Sequence, residues 1–75
     1  MSPRQPVVNA KQIIKVLEKK GFVFSRQSGS HAVYINPDGL RTTVPIHGKK
    51  DLGRSLLRQI MKDANISFDE LNDLL

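Results

Sequence analysis

The sequence predicts a two-layer α+β domain in which helices cover one face of a three-stranded antiparallel sheet. Three observations predict it. Apolar residues recur with a helical period near both ends of the chain, three short β-rich runs lie between them, and hairpin-length turns join those runs. The order is α-β-β-β-α followed by a short terminal helix.

The first helix begins at Asn9, an N-cap with Gln12 three positions on as in a capping box; Val8 and Ile13 take the hydrophobic-staple positions. Ala10, Ile13, Ile14 and Leu17 form its apolar stripe, with Lys11, Lys15 and Lys19 off it. Gly21 stops the helix, and Phe22 closes back on Leu17 in a Schellman-type end. Strands are expected at 22–27, 31–36 and 41–44. The first turn is Ser28-Gly29-Ser30, the second Pro37-Asp38-Gly39, and Pro45, which has no N–H to donate, ends the third strand. A second helix is expected over 52–64, with Leu52, Leu56, Leu57, Ile60, Met61 and Ala64 inward and Asn65 as a left-handed stop. Ser67 and Glu70 spell another capping box, so a third helix runs over about 68–75. Residues 1–8, with two prolines and no period, read as a loose arm, and residues 9–75 as one domain.

Composition narrows the function. Seventy-five residues with 39% hydrophobic content make one core, and a chain of this size buries roughly 60% of its unfolded surface. A large substrate cavity or a dinucleotide-binding fold is excluded. Cysteine is absent, which removes disulfides, thiolate metal sites and cysteine nucleophiles. No apolar run approaches the ~20 residues of a membrane span and the polar start is unlike a signal peptide, so a cytoplasmic protein without membrane contact is expected. Residues 1–62 hold all twelve cations against Glu18, Asp38 and Asp51; twelve less three leaves +9. Residues 63–75 hold four acids and no cation. A basic body of this size suits a polyanionic partner such as nucleic acid.

Few side chains here can move protons near neutral pH. His31 follows the Ser28-Gly29-Ser30 turn and shares one strand face with Val33 and Ile35. With that face toward the helices, His31 sits at the rim of the core. Gly29 and Ser30 beside it offer backbone N–H groups and little bulk, so a phosphate can approach closely. His31 is thus either a catalyst or a residue that merely caps the hairpin. His47, in the loop with Gly48, Lys49 and Lys50, is solvated surface, a phosphate contact or a second proton-transfer group. No carboxylate or third ligand accompanies either histidine at ligand spacing, and no metal or cofactor is called for. Tyr34 stands without another Tyr or Trp, and Phe22, Phe24 and Phe68 read as core, so an aromatic base-stacking platform lacks support. Lys49, Lys50, Arg54 and Arg58 cluster at a loop–helix junction and read as phosphate contacts. Arg26 and Arg41 lie on strands flanking that of His31, while the lysines of the first helix read as a solvated face.

A histidine in a basic setting can cleave RNA without a metal. A base takes the ribose 2′-OH proton, the oxygen attacks the adjacent phosphorus, and an acid protonates the departing 5′ oxygen. The rival readings are a non-catalytic RNA-binding module on the same fold and a protein-interaction domain.

Gly21-Phe22, then Arg26-Gln27-Ser28-Gly29-Ser30-His31 with Tyr34, then Thr43-Val44-Pro45-Ile46-His47, together with the run from Leu52 to Ser67, resemble the HicA family of toxins. The likeness covers residues 10–71, with the Gly-Ser-His and Val-Pro-x-His elements in register. Ser55 and Asn65 stand where relatives often have glycine. The resemblance implies a fold like the double-stranded RNA-binding domain. It implies an mRNA interferase, a small endoribonuclease of a type II toxin–antitoxin pair, whose catalytic histidine maps onto His31. It also implies a HicB-type antitoxin that blocks the site.

Overall fold

The computed structural model describes residues 7–48 and 50–75. Its elements are α1 (Ala10–Lys19), β1 (Val23–Ser28), β2 (His31–Ile35), β3 (Arg41–Pro45), α2 (Arg54–Ala64) and α3 (Phe68–Leu74). The expected order is therefore the observed one. Of the expected arm, residues 1–6 lie outside the described residues, while Val8 is buried in the staple position.

Local chemistry sets the helix boundaries. At α1 the Gln12 N–H donates to Asn9 Oδ1 and the Asn9 N–H to Gln12 Oε1, both at 2.9 Å. Gly21, at φ 91°, turns the chain out of the helix. The Phe22 N–H then donates to the Leu17 carbonyl at 2.9 Å and the Gly21 N–H to that of Glu18 at 3.0 Å, closing a Schellman motif. The inward stripe also includes Val16, fully buried, whereas Ile14 is only partly covered. Asn65 ends α2 in the left-handed region at φ 56°, ψ 48°, a conformation asparagine tolerates better than most residues. Ser67 and Glu70 form the second capping box.

The second helix starts two residues later than its pattern suggests. The Leu52 N–H donates to the Val8 carbonyl at 2.8 Å, and Asn9 and Asp51 form an antiparallel bridge. That short ladder holds 51–52 extended, and the helix begins after Gly53. Leu52 is still buried, but as a strap rather than a helical residue.

The sheet is a meander in the order β1-β2-β3. Gly29, at φ 58°, and Ser30, which lies outside the positive-φ region, make the two-residue turn between β1 and β2, the pattern of a type II′ hairpin. At the other end Pro37, Asp38 and Gly39 form the loop; the Asn36 side chain accepts from the Asp38 and Leu40 N–H groups. Pro45 belongs to β3 rather than following it, opposite His31. A proline is tolerated there because β3 is an edge strand.

Which face of β2 meets the helices is the main correction. Ala32 and Tyr34 are buried together with their β3 partners Val44 and Thr42, while His31 and Ile35 are exposed and Val33 is half-buried. Ala32, Tyr34, Thr42 and Val44 thus form the face that meets the helices, with α1 and α2 both packed against β3. His31 therefore lies on the sheet face away from the helices, not at the rim of the core. A bulge between Phe24 and Arg26 shifts the β1 register, and Phe24 stands edge-on to its partner Tyr34, with ring centroids 5.9 Å apart. Phe24 remains 54% exposed, so of the three phenylalanines read as core only Phe22 is fully buried. All six residues of β1 are exposed.

The lysines at the end of α1 are not simply solvated. Lys20 pairs with Glu70, and Lys19 Nζ donates to the Leu74 carbonyl at 2.8 Å. These contacts fasten α3 against α1, and the Lys20 ammonium holds the Glu70 carboxyl below its usual value. Among the described residues no helix is long and apolar enough to cross a membrane.

Candidate functional site

The pairing register builds the surroundings of His31. It stands opposite Ser28 on β1 and Pro45 on β3, and antiparallel partners share a face. The rows on the His31 face are Ser28–His31–Pro45, then Arg26–Val33–Thr43, then Val23–Ile35–Arg41, all exposed except the half-buried Val33 and the buried Pro45. None of these nine residues is acidic.

The turn beside His31 is held from both sides. Gln27 Nε2 donates to the Gly29 carbonyl at 2.9 Å, and the Ile46 N–H donates to the Ser30 carbonyl. Gly29 is exposed and Ser30 half-buried. The second bond continues the β2–β3 ladder one residue past Pro45, so the loop carrying His47 leaves the sheet at the His31 end. His47 and Lys50 are exposed, and the Lys50 N–H donates to the His47 carbonyl at 3.2 Å. This loop leads to the N-terminus of α2, where Arg54 and, one turn on, Arg58 are exposed.

Of the residues singled out from the sequence, His31, Gly29, Ser30 and His47 thus gather at one end of the sheet. Lys50 and Arg54 follow on the connection to α2, and Lys49 lies outside the described residues. Arg58 stands farther along, lining a shallow apolar cleft with Met61, Lys62, Ile66 and Phe68. Tyr34 is on the opposite sheet face from His31. Burial, reinforced by the charge of Glu18, pushes its phenol up from the ordinary value, so it remains protonated and belongs to the packing. Among the described residues no three His, Asp or Glu side chains converge as a ligand set.

Arg26 and Arg41, to which the sequence alone assigns no role, stand on the His31 face, where period-two alternation and the hairpin lengths also put them.

A family model described as the HicA toxin of bacterial toxin–antitoxin systems matches residues 10–66. The match opens on the first residue of α1, spans all three strands and α2, and ends one residue after Asn65. No individually curated protein matches the chain.

Proposed function

Because the chain belongs to the HicA family of toxins from bacterial toxin–antitoxin systems, we propose that it is an mRNA interferase, a metal-independent endoribonuclease with His31 as its proton-transfer group. The helix, three antiparallel strands and further helices fit the double-stranded-RNA-binding-domain-like fold of that family, and the family carries an antitoxin partner. The observation that supports catalysis most is the position of His31: exposed beside a glycine turn, on a sheet face without carboxylates, at the end from which the His47 loop departs.

In this reading a phosphodiester lies against Gly29 and Ser30. The His31 imidazole takes the 2′-OH proton, and the 2′ oxygen attacks the adjacent phosphorus. The bond to the 5′ oxygen breaks, and that oxygen leaves protonated, with His47 as the candidate second proton-transfer group. The products are a 2′,3′-cyclic phosphate and a 5′-hydroxyl. Imidazole suits the task because its ordinary pKa lies near the working pH. Lys49, Lys50, Arg54 and Arg58 supply positive potential toward the phosphates, as the pentavalent transition state gains charge. A HicB-type antitoxin with an acidic surface would be steered by the +9 body and would occlude His31 in the cytoplasm of the producing cell.

The test is incubation of the purified protein with single-stranded RNA and with DNA of the same sequence, in the presence of EDTA. Cleavage of RNA alone, leaving cyclic phosphate ends, is expected. Strong inhibition by EDTA, equal cutting of DNA, or binding without cleavage contradicts the proposal.

A further inference from the structure

We infer that the RNA strand reaching His31 lies across the open face of the sheet, and that Arg26 and Arg41 grip the phosphates beyond the reacting one. This rests on the nuclease reading above and assigns it a binding track.

The rows of the sheet give the geometry. Neighbouring strands lie about 4.8 Å apart, and same-face residues on one strand about 6.7 Å apart. Arg26 pairs with Val33, two residues from His31, and so stands diagonally about 8 Å from it. Arg41 pairs with Ile35, four residues from His31, on the other flank and about 14 Å away. A line from His31 along β2 therefore passes one cation on its left and another on its right. That spacing suits a strand a few nucleotides long.

The charges of both arginines are available. Each is exposed, and neither makes an ion pair or a side-chain hydrogen bond among the described residues, unlike Lys20 with its Glu70 partner. Between them lie Val33, half-buried, and Ile35, 38% exposed, with Val23, 58% exposed, beside Ile35 on β1. This apolar strip offers the bases a dry surface while the guanidinium groups, planar and strongly donating, take the phosphates. Apart from the buried Pro45 and the half-buried Val33 the residues of this face are exposed, and no carboxylate in its three rows repels a polyanion.

The experiment compares R26Q/R41Q with K11Q/K15Q, which removes the same charge from exposed positions of α1. Circular dichroism checks that both keep the fold. The probe is a fluorescein-labelled single-stranded RNA of about twelve nucleotides, 2′-O-methylated so that it cannot be cleaved, followed by anisotropy across a salt series. R26Q/R41Q is expected to flatten the slope of log K against log salt by about 1.4, or 0.7 per lost phosphate contact, and K11Q/K15Q to leave it unchanged. With cleavable RNA, the arginine variant is expected to act through a raised KM. An unchanged slope for R26Q/R41Q, or an equal loss in both variants, overturns the inference. So does a variant that binds RNA like the parent but escapes the antitoxin, which would make this face a protein-docking surface. The binding assay needs no catalysis, so failure of the nuclease reading shows separately, as absence of cutting by the parent protein.

Discussion

Replacing Gly29 with alanine tests whether the turn beside His31 depends on its left-handed backbone. Gly29 has φ 58°, and a Cβ added there meets no heavy atom within 4 Å. The cost is therefore torsional, not steric, and an L-residue held at such a φ costs about 1–2 kcal/mol. In a domain of this size each kcal/mol moves Tm by about 4–8 °C, so Gly29→Ala is expected to lower Tm by about 4–16 °C. Thermal unfolding followed by circular dichroism measures it. A 75-residue chain is within reach of chemical synthesis, which permits a sharper comparison. D-alanine at the same position prefers positive φ and narrows the unfolded ensemble, so it is expected to match the parent or exceed it by about 0.4–1 kcal/mol. Ser30→Ala, in the same turn without positive φ, is expected to stay within about 0.5 kcal/mol. If L-alanine leaves Tm unchanged, or D-alanine destabilises as much as L-alanine, the turn is not the one described and the placement of His31 loses its basis.

Three further outcomes follow from the packing. Thr42 is 2% exposed and its hydroxyl has no partner among the described residues; Thr42→Val, which keeps the branched shape, is expected to raise stability by about 1 kcal/mol in denaturant titration. The folded-state pKa of Glu70 is depressed by Lys20, so its contribution is present above the unfolded carboxylate pKa of about 4.3 and disappears as pH falls through the lower folded value. Lower protection of the α3 amides, after correction for the slower intrinsic exchange in acid, is expected in that window, and Glu70→Gln should abolish this dependence. Phe22→Ala is expected to cost about 3–5 kcal/mol, whereas Phe24→Ala, at a residue 54% exposed, should cost far less; equal losses would contradict the bulged register of β1.

What was legible in the sequence was local. Asn9 with Gln12, Gly21 with Phe22, Asn65, and Ser67 with Glu70 all act within a few residues, so spacing alone placed these four helix ends. The gathering of His31, Gly29 and Ser30 was legible for the same reason, being a hairpin turn. The orientation of β2 was not. Alternation divides His31, Val33 and Ile35 from Ala32 and Tyr34, but only the packing of α1 and α2 on the sheet decides which set is inside. The apolar Val33 and Ile35 were the misleading signal, since the buried set is Ala32 and Tyr34 with Val44 and Thr42 of β3. Leu52 is buried as expected, but its extended pairing with Val8, like the Lys20–Glu70 pair, was not legible because the partners are far along the chain, fifty positions apart for the lysine and the glutamate.

Whether His31 is the catalytic group on the open sheet face is decided by single-turnover cleavage of RNA by His31→Ala. His31 is exposed and outside the core, so the variant is expected to keep the far-ultraviolet spectrum and Tm of the parent. Loss of a general acid–base group removes roughly 10²–10⁴ in rate, and a fall of that size with the fold intact is the predicted result. A variant that retains the parent's cleavage rate and spectrum would contradict the assignment and move the active site to another residue, with His47 the next to be replaced.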